Sequence, residues 1–241
     1  SFPTFVERYR RFGSALNASG LSCRVERSEL EGHMSGQDHV ALFLNNECEY
    51  LESMLGAWAG RVASFNVNHR YIADELHYLL TDADAKAVVV NSMYAPNLAE
   101  VLPQLPNLGL IVQVPDESGN GLLPGAIYYE DFLREQEPRY LDDCSPDDLY
   151  LLYTGGTTGM PKGVRWRNAD FFVGALGCLD RKTGLDYDSY AEVASAAARG
   201  TIKWMTSAPF MHGAAQWIAL QALTCLLYTS DAADEEDSVD L

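Results

Sequence analysis

Hydrophobic positions along the chain follow two alternating periods. Continuous apolar runs at 39–44, 62–67, 87–90 and 108–114 read as strands. Between them the spacing is helical. Phe5, Tyr9, Phe12 and Leu16 share one face of a helix over 5–16, and a second helix over 48–58 is closed by Gly60. A third, over 72–80, gathers Ile72, Leu76, Leu79 and Leu80, and a short fourth over 94–101 breaks before Pro103. Strands alternating with helices at this spacing predict an α/β fold, a parallel sheet with helices on its faces. Strands without polar alternation predict burial on both faces.

The second half is less regular. Residues 115–125 are rich in Pro, Gly, Asp, Asn and Ser and form a loop, followed by a short helix over 128–133 and a polar, turn-like stretch over 138–146. Two strands, 149–153 and 163–166, flank a segment of small and hydroxylated residues. A helix over 168–179 follows, with Asn168 as its cap and Asp170 in its first turn. The Ser/Ala/Asp/Gly-rich stretch 181–200 is expected to be mobile. Residues 203–207 are strand-like, and a turn at 209–213 leads into a helix over 214–223. The longest apolar stretch, 214–228, contains Gln216, Gln221 and Thr224 and falls short of the roughly twenty residues a membrane span needs, so no transmembrane segment is expected.

The segment between the two strands carries the chemistry: Thr154-Gly155-Gly156-Thr157-Thr158-Gly159-Met160-Pro161-Lys162-Gly163. Its glycines permit turns closed to other residues and let an anion approach the main chain. Consecutive exposed N–H groups form an anion-binding concavity. Thr154, Thr157 and Thr158 add hydroxyl donors, and Lys162 adds a positive charge. The P-loop pattern requires Gly directly before Lys and Ser or Thr after it, whereas Lys162 lies between Pro161 and Gly163. The dinucleotide fingerprint opens a helix, whereas a strand pattern follows here. The competing reading is an ordinary Gly/Thr-rich hairpin loop.

Composition narrows the partners. In 241 residues, 34 acidic side chains outweigh 17 basic ones, for a net charge of −17. That opposes a nucleic-acid or anionic-membrane surface, though not ATP, which needs only a local cation such as Lys162. Cys23, Cys48, Cys144, Cys178 and Cys225 form no C-x-x-C pair and stand near no histidine at zinc spacing, and they are expected to be reduced thiols of a cytoplasmic protein. His33, His39, His69 and His77 are read as structural, and Glu49, Glu52 and Glu75 as solvated helix faces.

Residues 154–163 resemble, at each position, the [ST]-[SG]-G-[ST]-T-G-x-P-K-G signature of the adenylate-forming enzymes: acyl-CoA synthetases, luciferases and peptide-synthetase adenylation domains. Residues 40–46, 49–58, 66–71, 75–76 and 78–80 are similar to the amino-terminal half of fatty-acyl-CoA synthetases, and 208–217 to the segment those enzymes place beside the acyl pocket. Trp166 and Gln216-Trp217 bring the bacterial fatty-acid–CoA ligases nearest. The resemblance implies layered parallel sheets flanked by helices, forming an incomplete N-terminal domain of the adenylate-forming fold. It assigns Thr154, Gly155, Gly156, Thr157, Thr158, Gly159 and Lys162 to the pyrophosphate portion of ATP. It also places His212 and Gly213 at the acyl-substrate pocket, although a lone histidine such as His212 can equally be structural. ATP, Mg2+ and CoA would be the co-substrates, and a carboxylate, a fatty acid, the third partner.

The chain also departs from that family. It contains no Tyr-Gly-x-Thr-Glu segment, no Ser/Thr-Gly-Asp segment, and no small carboxy-terminal domain with a catalytic lysine. Residues 225–235 resemble the translation of a transposon-end library adapter. The expectation is therefore a partial AMP-binding domain over 1–224 and a foreign, disordered acidic tail over 225–241. That tail holds six acidic groups and no basic ones, so without it the formal charge falls from −17 to −11. A natural acidic disordered tail has the same composition. Two further alternatives stand: a non-catalytic nucleotide-binding remnant, and an adenylating enzyme for an aryl or amino acid.

Overall fold

A computed structural model describes residues 1–32, 34–139, 141–155, 160–180, 183–197, 202–224 and 227–229. They fall into two compact units, Ser1–Asn168 and Ala169–Leu241.

The first unit is built on a seven-stranded sheet of order β5-β4-β3-β1-β2-β6-β7. Its strands are β1 (His39–Phe43), β2 (Ala63–Asn66), β3 (Ala85–Asn91), β4 (Leu110–Val114), β5 (Ile127–Tyr128), β6 (Leu149–Thr154) and β7 (Lys162–Arg167). All neighbouring pairs are parallel except β6–β7. The central strands are buried nearly end to end, which is why they read as unbroken apolar runs. β5 is a difference from expectation: Ile127 and Tyr128 pair with β4, and the helix over 128–133 begins one residue later, as α5 (Tyr129–Arg134).

Helices cover both faces. α3 (Ala73–Asp82) and α4 (Ala95–Val101) bury Leu76, Leu79, Leu80, Leu98 and Val101 in a cluster with Phe43, Phe65, Val88 and Val90. On the other side α1 (Phe2–Ala18) packs against α2 (Cys48–Ala59) and α5. There Phe12 stacks on Tyr129 at 5.6 Å and meets Phe132 edge-on at 5.5 Å.

The α1–α2 contact is close because it is made by glycine. A Cβ on Gly56 would lie 2.6 Å from the Tyr9 carbonyl oxygen, and one on Gly13 would lie 2.8 Å from that of Gly56. Gly60 belongs to the same contact, since its Cβ would come within 3.1 Å of the Gly13 carbonyl oxygen. It closes α2 as expected, but the left-handed residue of the turn is the next one, Arg61, at φ 56°. Ion pairs from Arg61 to Glu26 (2.8 Å) and to buried Asp148 (2.9 Å) hold it there.

The glutamates expected on solvated faces divide. Glu52 is 3% exposed and accepts from Arg8 Nε at 2.7 Å and from the Tyr129 hydroxyl at 3.1 Å. Burial pushes its carboxyl up, against the opposing pull of Arg8. Arg8 also pairs with Glu130 at 2.6 Å, so one guanidinium ties α1 to both α2 and α5. Glu75 accepts from the Ile72 N–H at 3.1 Å, capping α3. Glu49 is half-buried.

A single turn, α6 (Asn168–Asp170), starts at the last residue of the first unit and passes into a π-helical turn over Phe171–Ala175 in the second. The expected helix over 168–179 is thus shorter and wider, and Gly177 at φ 64° follows its end. The stretch expected to be mobile contains α7 (Tyr190–Ala197). α8 spans Gly213–Thr224, and β8 (Ile202–Trp204) pairs in parallel with β9 (Leu227–Thr229). β9 lies within the stretch expected as a tail, of which residues 225, 226 and 230–241 fall outside the described residues. Cys23, Cys48 and Cys144 are free thiols, whereas Cys178 is disulfide-bonded, contrary to the expectation of reduced thiols throughout.

The packing can be tested at Gly56 and at His39. Gly56→Ala forces a methyl against the α1 backbone and should cost roughly 1–3 kcal/mol, read as a lowered urea midpoint. His39 donates from Nδ1 to the Ala83 carbonyl (2.5 Å), and its Nε2 lies 2.7 Å from the Ser35 hydroxyl. Burial is the largest cause holding this imidazole below its ordinary range, outweighing the Ala83 carbonyl that raises it. A depressed histidine contributes stability above its unfolded value and loses it as pH falls through the folded one. The stability gap between wild type and His39→Gln should therefore narrow as pH drops from about 7.5 to about 5, across the unfolded histidine value. A gap independent of pH would exclude His39 as the titrating group.

Candidate functional site

β6 and β7 form the arms of a hairpin whose register runs from Leu149↔Arg167 to Thr154↔Lys162. Residues 155–161 close it. β6 is buried through Tyr153 and emerges at Thr154, which is exposed. Lys162 is exposed directly across from it, and Pro161 beside it is buried. The two ends of the phosphate-loop signature that carry a hydroxyl and a cation are thus set side by side at the sheet's edge. Gly156, Thr157, Thr158 and Gly159 lie outside the described residues.

What anchors this hairpin is Tyr153. β2 and β6 share a single register pair, Phe65↔Leu151. Past it, the Asn66 side chain takes over: the Tyr153 N–H donates to Asn66 Oδ1 at 2.8 Å, and Asn66 Nδ2 donates to the Tyr153 carbonyl at 2.9 Å. The Tyr153 hydroxyl donates to Asp82 Oδ2, at the end of α3, at 2.7 Å. Burial, reinforced by this bond, pushes the phenol well above its usual range, so it stays protonated. Asn66 and Asp82 escaped the sequence reading, because Asn66 shares its strand with a second polar residue, Ser64, and Asp82 merely ends a helix.

The glycines of the loop separate by cause. A Cβ on Gly163 would lie 2.8 Å from Cζ of Tyr153, whose ring crosses that position. Packing therefore demands glycine there. A Cβ on Gly155 would meet nothing within 4 Å among the described residues. No packing among them calls for glycine at that position. Among the described residues no group of three or more His, Cys, Asp or Glu could hold a metal ion.

His212 and Gly213 belong to the second unit. The His212 carbonyl accepts from Ala215 N–H at 3.2 Å in the first turn of α8, which Gly213 opens. The His212 side chain is exposed. Nearby, Gln216 is buried and donates from Nε2 to the Phe210 carbonyl at 2.6 Å, while Trp217 meets Phe171 edge-on at 5.9 Å. His69, read as structural, stacks on Tyr94 at 5.7 Å. His33 lies outside the described residues. No described helix is long and apolar enough to cross a membrane.

Residues 29–230 match the family described as AMP-binding enzyme. The chain is 48% identical over 222 residues to the medium-chain acyl-CoA ligase Mig of Mycobacterium avium, covering 91% of this chain and 40% of that protein. It is 37% identical over 219 residues to a Mycobacterium tuberculosis ligase for medium/long-chain fatty acids and 3-oxocholest-4-en-26-oate, covering 88% and 40%. Among solved structures, ATP-bound MatB from Rhodopseudomonas palustris superposes with a TM-score of 0.68 at 19% identity, covering 95% of this chain and 39% of that one. An acyl-CoA synthetase from Brucella canis gives 0.67 at 20% identity, covering 94% and 36%. These two share the fold. The chain spans about two-fifths of the length of the relatives it matches.

Gly163→Ala should displace the Tyr153 ring and destabilise the first unit by roughly 1–3 kcal/mol. In a Tyr153→Leu background, where the obstructing ring tip is gone, the same Gly163→Ala change should cost less than it does in wild type. A double-mutant cycle in urea denaturation therefore reads the contact directly.

Proposed function

The chain belongs to the AMP-binding enzyme family, and from that we propose that it is the nucleotide-binding, amino-terminal part of a fatty-acyl-CoA synthetase. The whole enzyme would join a fatty-acid carboxylate to ATP. A carboxylate oxygen attacks the α-phosphorus, the bond to the β-phosphate breaks, and pyrophosphate leaves an acyl adenylate. The coenzyme A sulfur then attacks the acyl carbon and AMP leaves. Relatives named for medium- and long-chain fatty acids favour a fatty acid over an aryl or amino acid. We place the reaction in the cytoplasm; the net charge of −17 disfavours a nucleic-acid partner.

The observation that carries this reading is the pairing of exposed Thr154 with exposed Lys162 at the mouth of a loop that matches the phosphate signature throughout. In the first step the task of these residues is positioning and charge stabilisation. The Thr154 hydroxyl and loop amides would donate to phosphate oxygens, and Lys162 would oppose the charge gathering on the leaving pyrophosphate. Gly155 leaves the main chain open to that approach. Magnesium bound to the nucleotide would neutralise phosphate charge. His212 and Gly213 would border the acyl group.

These residues alone are proposed to hold nucleotide without completing the reaction, since the Tyr-Gly-x-Thr-Glu and Ser/Thr-Gly-Asp segments are absent from the sequence. Calorimetry of this chain with MgATP should detect binding, and Lys162→Ala should weaken it about tenfold or more, the worth of one charge-assisted contact. Fatty-acid-dependent exchange of labelled pyrophosphate into ATP should be absent. Exchange by this chain would overturn the proposed division of labour, and MgATP affinity indifferent to Lys162 would overturn the role of the loop.

A further inference from the structure

We propose that Asn66 is a positioning residue for the phosphate loop. It acts through the Tyr153 backbone to set where Thr154 leaves the sheet, and hence where Thr154, Gly155 and Lys162 face a nucleotide. The ligand in this inference rests on the function proposed above; the clip itself does not.

The need for such a residue comes from the strand order. β6 lies between β2 and β7. In an antiparallel hairpin, alternate residues turn both backbone polar groups away from the partner strand. Tyr153, opposite Gly163, is such a residue, because its N–H and C=O both go to Asn66 on the far side. A parallel ladder would satisfy them only if β2 continued. It does not, since the chain turns at Asn68, whose side chain accepts from the Arg70 N–H at 2.9 Å and whose carbonyl accepts from Tyr71. β2 leaves while β6 still has one buried residue to run.

The Asn66 amide resolves this conflict. It is 5% exposed and presents one acceptor and one donor to the same residue's backbone. Aspartate lacks the donor, leucine lacks both, and threonine carries donor and acceptor on one oxygen and not on two adjacent atoms. The backbone beneath it is fixed, because Asn66 stands in register with Leu42 of β1 and Val67 N–H donates to the Leu42 carbonyl at 3.0 Å. The clip therefore connects the central strand to the last residue before the loop. From the opposite direction the Tyr153 ring is held by Asp82 and bears on Gly163. Residue 153 is pinned by backbone and ring alike, and the phosphate signature begins at the next residue.

The test uses the chain as it stands, with Asn66→Ala and the isosteric Asn66→Asp, which keeps Oδ1 but loses the donor. Circular dichroism and urea midpoints establish which variants fold. Hydrogen exchange by mass spectrometry compares the peptide over 150–165 with that over 85–91, and calorimetry gives the MgATP affinity. Exchange in 150–165 should rise about tenfold or more while 85–91 is unchanged, and MgATP should bind about tenfold more weakly, as expected when a buried donor and acceptor lose their partners. Either folded variant showing unchanged exchange at 150–165 overturns the inference. So does faster exchange with undiminished MgATP affinity. If the wild type binds no MgATP, the phosphate reading of the loop falls, and the exchange comparison still decides whether Asn66 sets the loop's origin.

Discussion

Where a strand of a covered sheet outruns its neighbour while still buried, its backbone groups must find partners in the protein. That constraint governs the first unit. Where parallel strands of unequal length part company, side chains substitute for the missing ladder. Asn66 does so for β6. Gln113, fully buried in β4, donates to the Ser92 hydroxyl and the Gly121 carbonyl and accepts from the Leu123 N–H, tying the loop after β4 to the sheet. Asn91, buried at the end of β3, accepts from the Asn45 N–H and donates to Glu47. These amides cluster at strand ends because an amide side chain offers a donor and an acceptor side by side, as a ladder partner would.

Glycine serves three separate ends in this chain. Gly13, Gly56 and Gly60 bring two helices together more closely than any Cβ allows. Gly163 makes room for a tyrosine ring. Gly155 faces open space among the described residues, and it lies inside the segment whose composition suits an anion. The first two uses are structural, and the third, as at several other glycines, leaves the Cβ position open. Side chains that look alike in a signature thus divide into those the fold requires and those a ligand would require.

Much of the fold was legible along the chain. Buried parallel strands declare themselves as unbroken apolar runs, and β1 to β4 and α1 to α4 appear close to where their periodicity puts them. The signature over 154–163 could be read as a candidate anion loop, because its glycines, hydroxyls and lysine are contiguous. Less visible was whatever depends on width or pairing. The two-residue β5 is too short to show a period. The π-helical turn at Phe171–Ala175 follows no 3.6-residue spacing. Glu52 has the sequence surroundings of a surface glutamate and is buried because Arg8 and Tyr129, 44 and 77 residues away, converge on it.

Local composition was enough to establish the strand–helix alternation and the acidic balance of the chain, and to single out residues 154–163 as a candidate anion site, since each is a property of neighbours in sequence. Three-dimensional packing decided the rest. It made β7 the antiparallel edge of a parallel sheet, and it set Lys162 opposite Thr154. It also gave the role of loop anchor to Asn66, 87 residues from the tyrosine it holds. Those outcomes turn on which strand lies beside which and where each one stops, and residues distant in sequence settle them only once they are in contact.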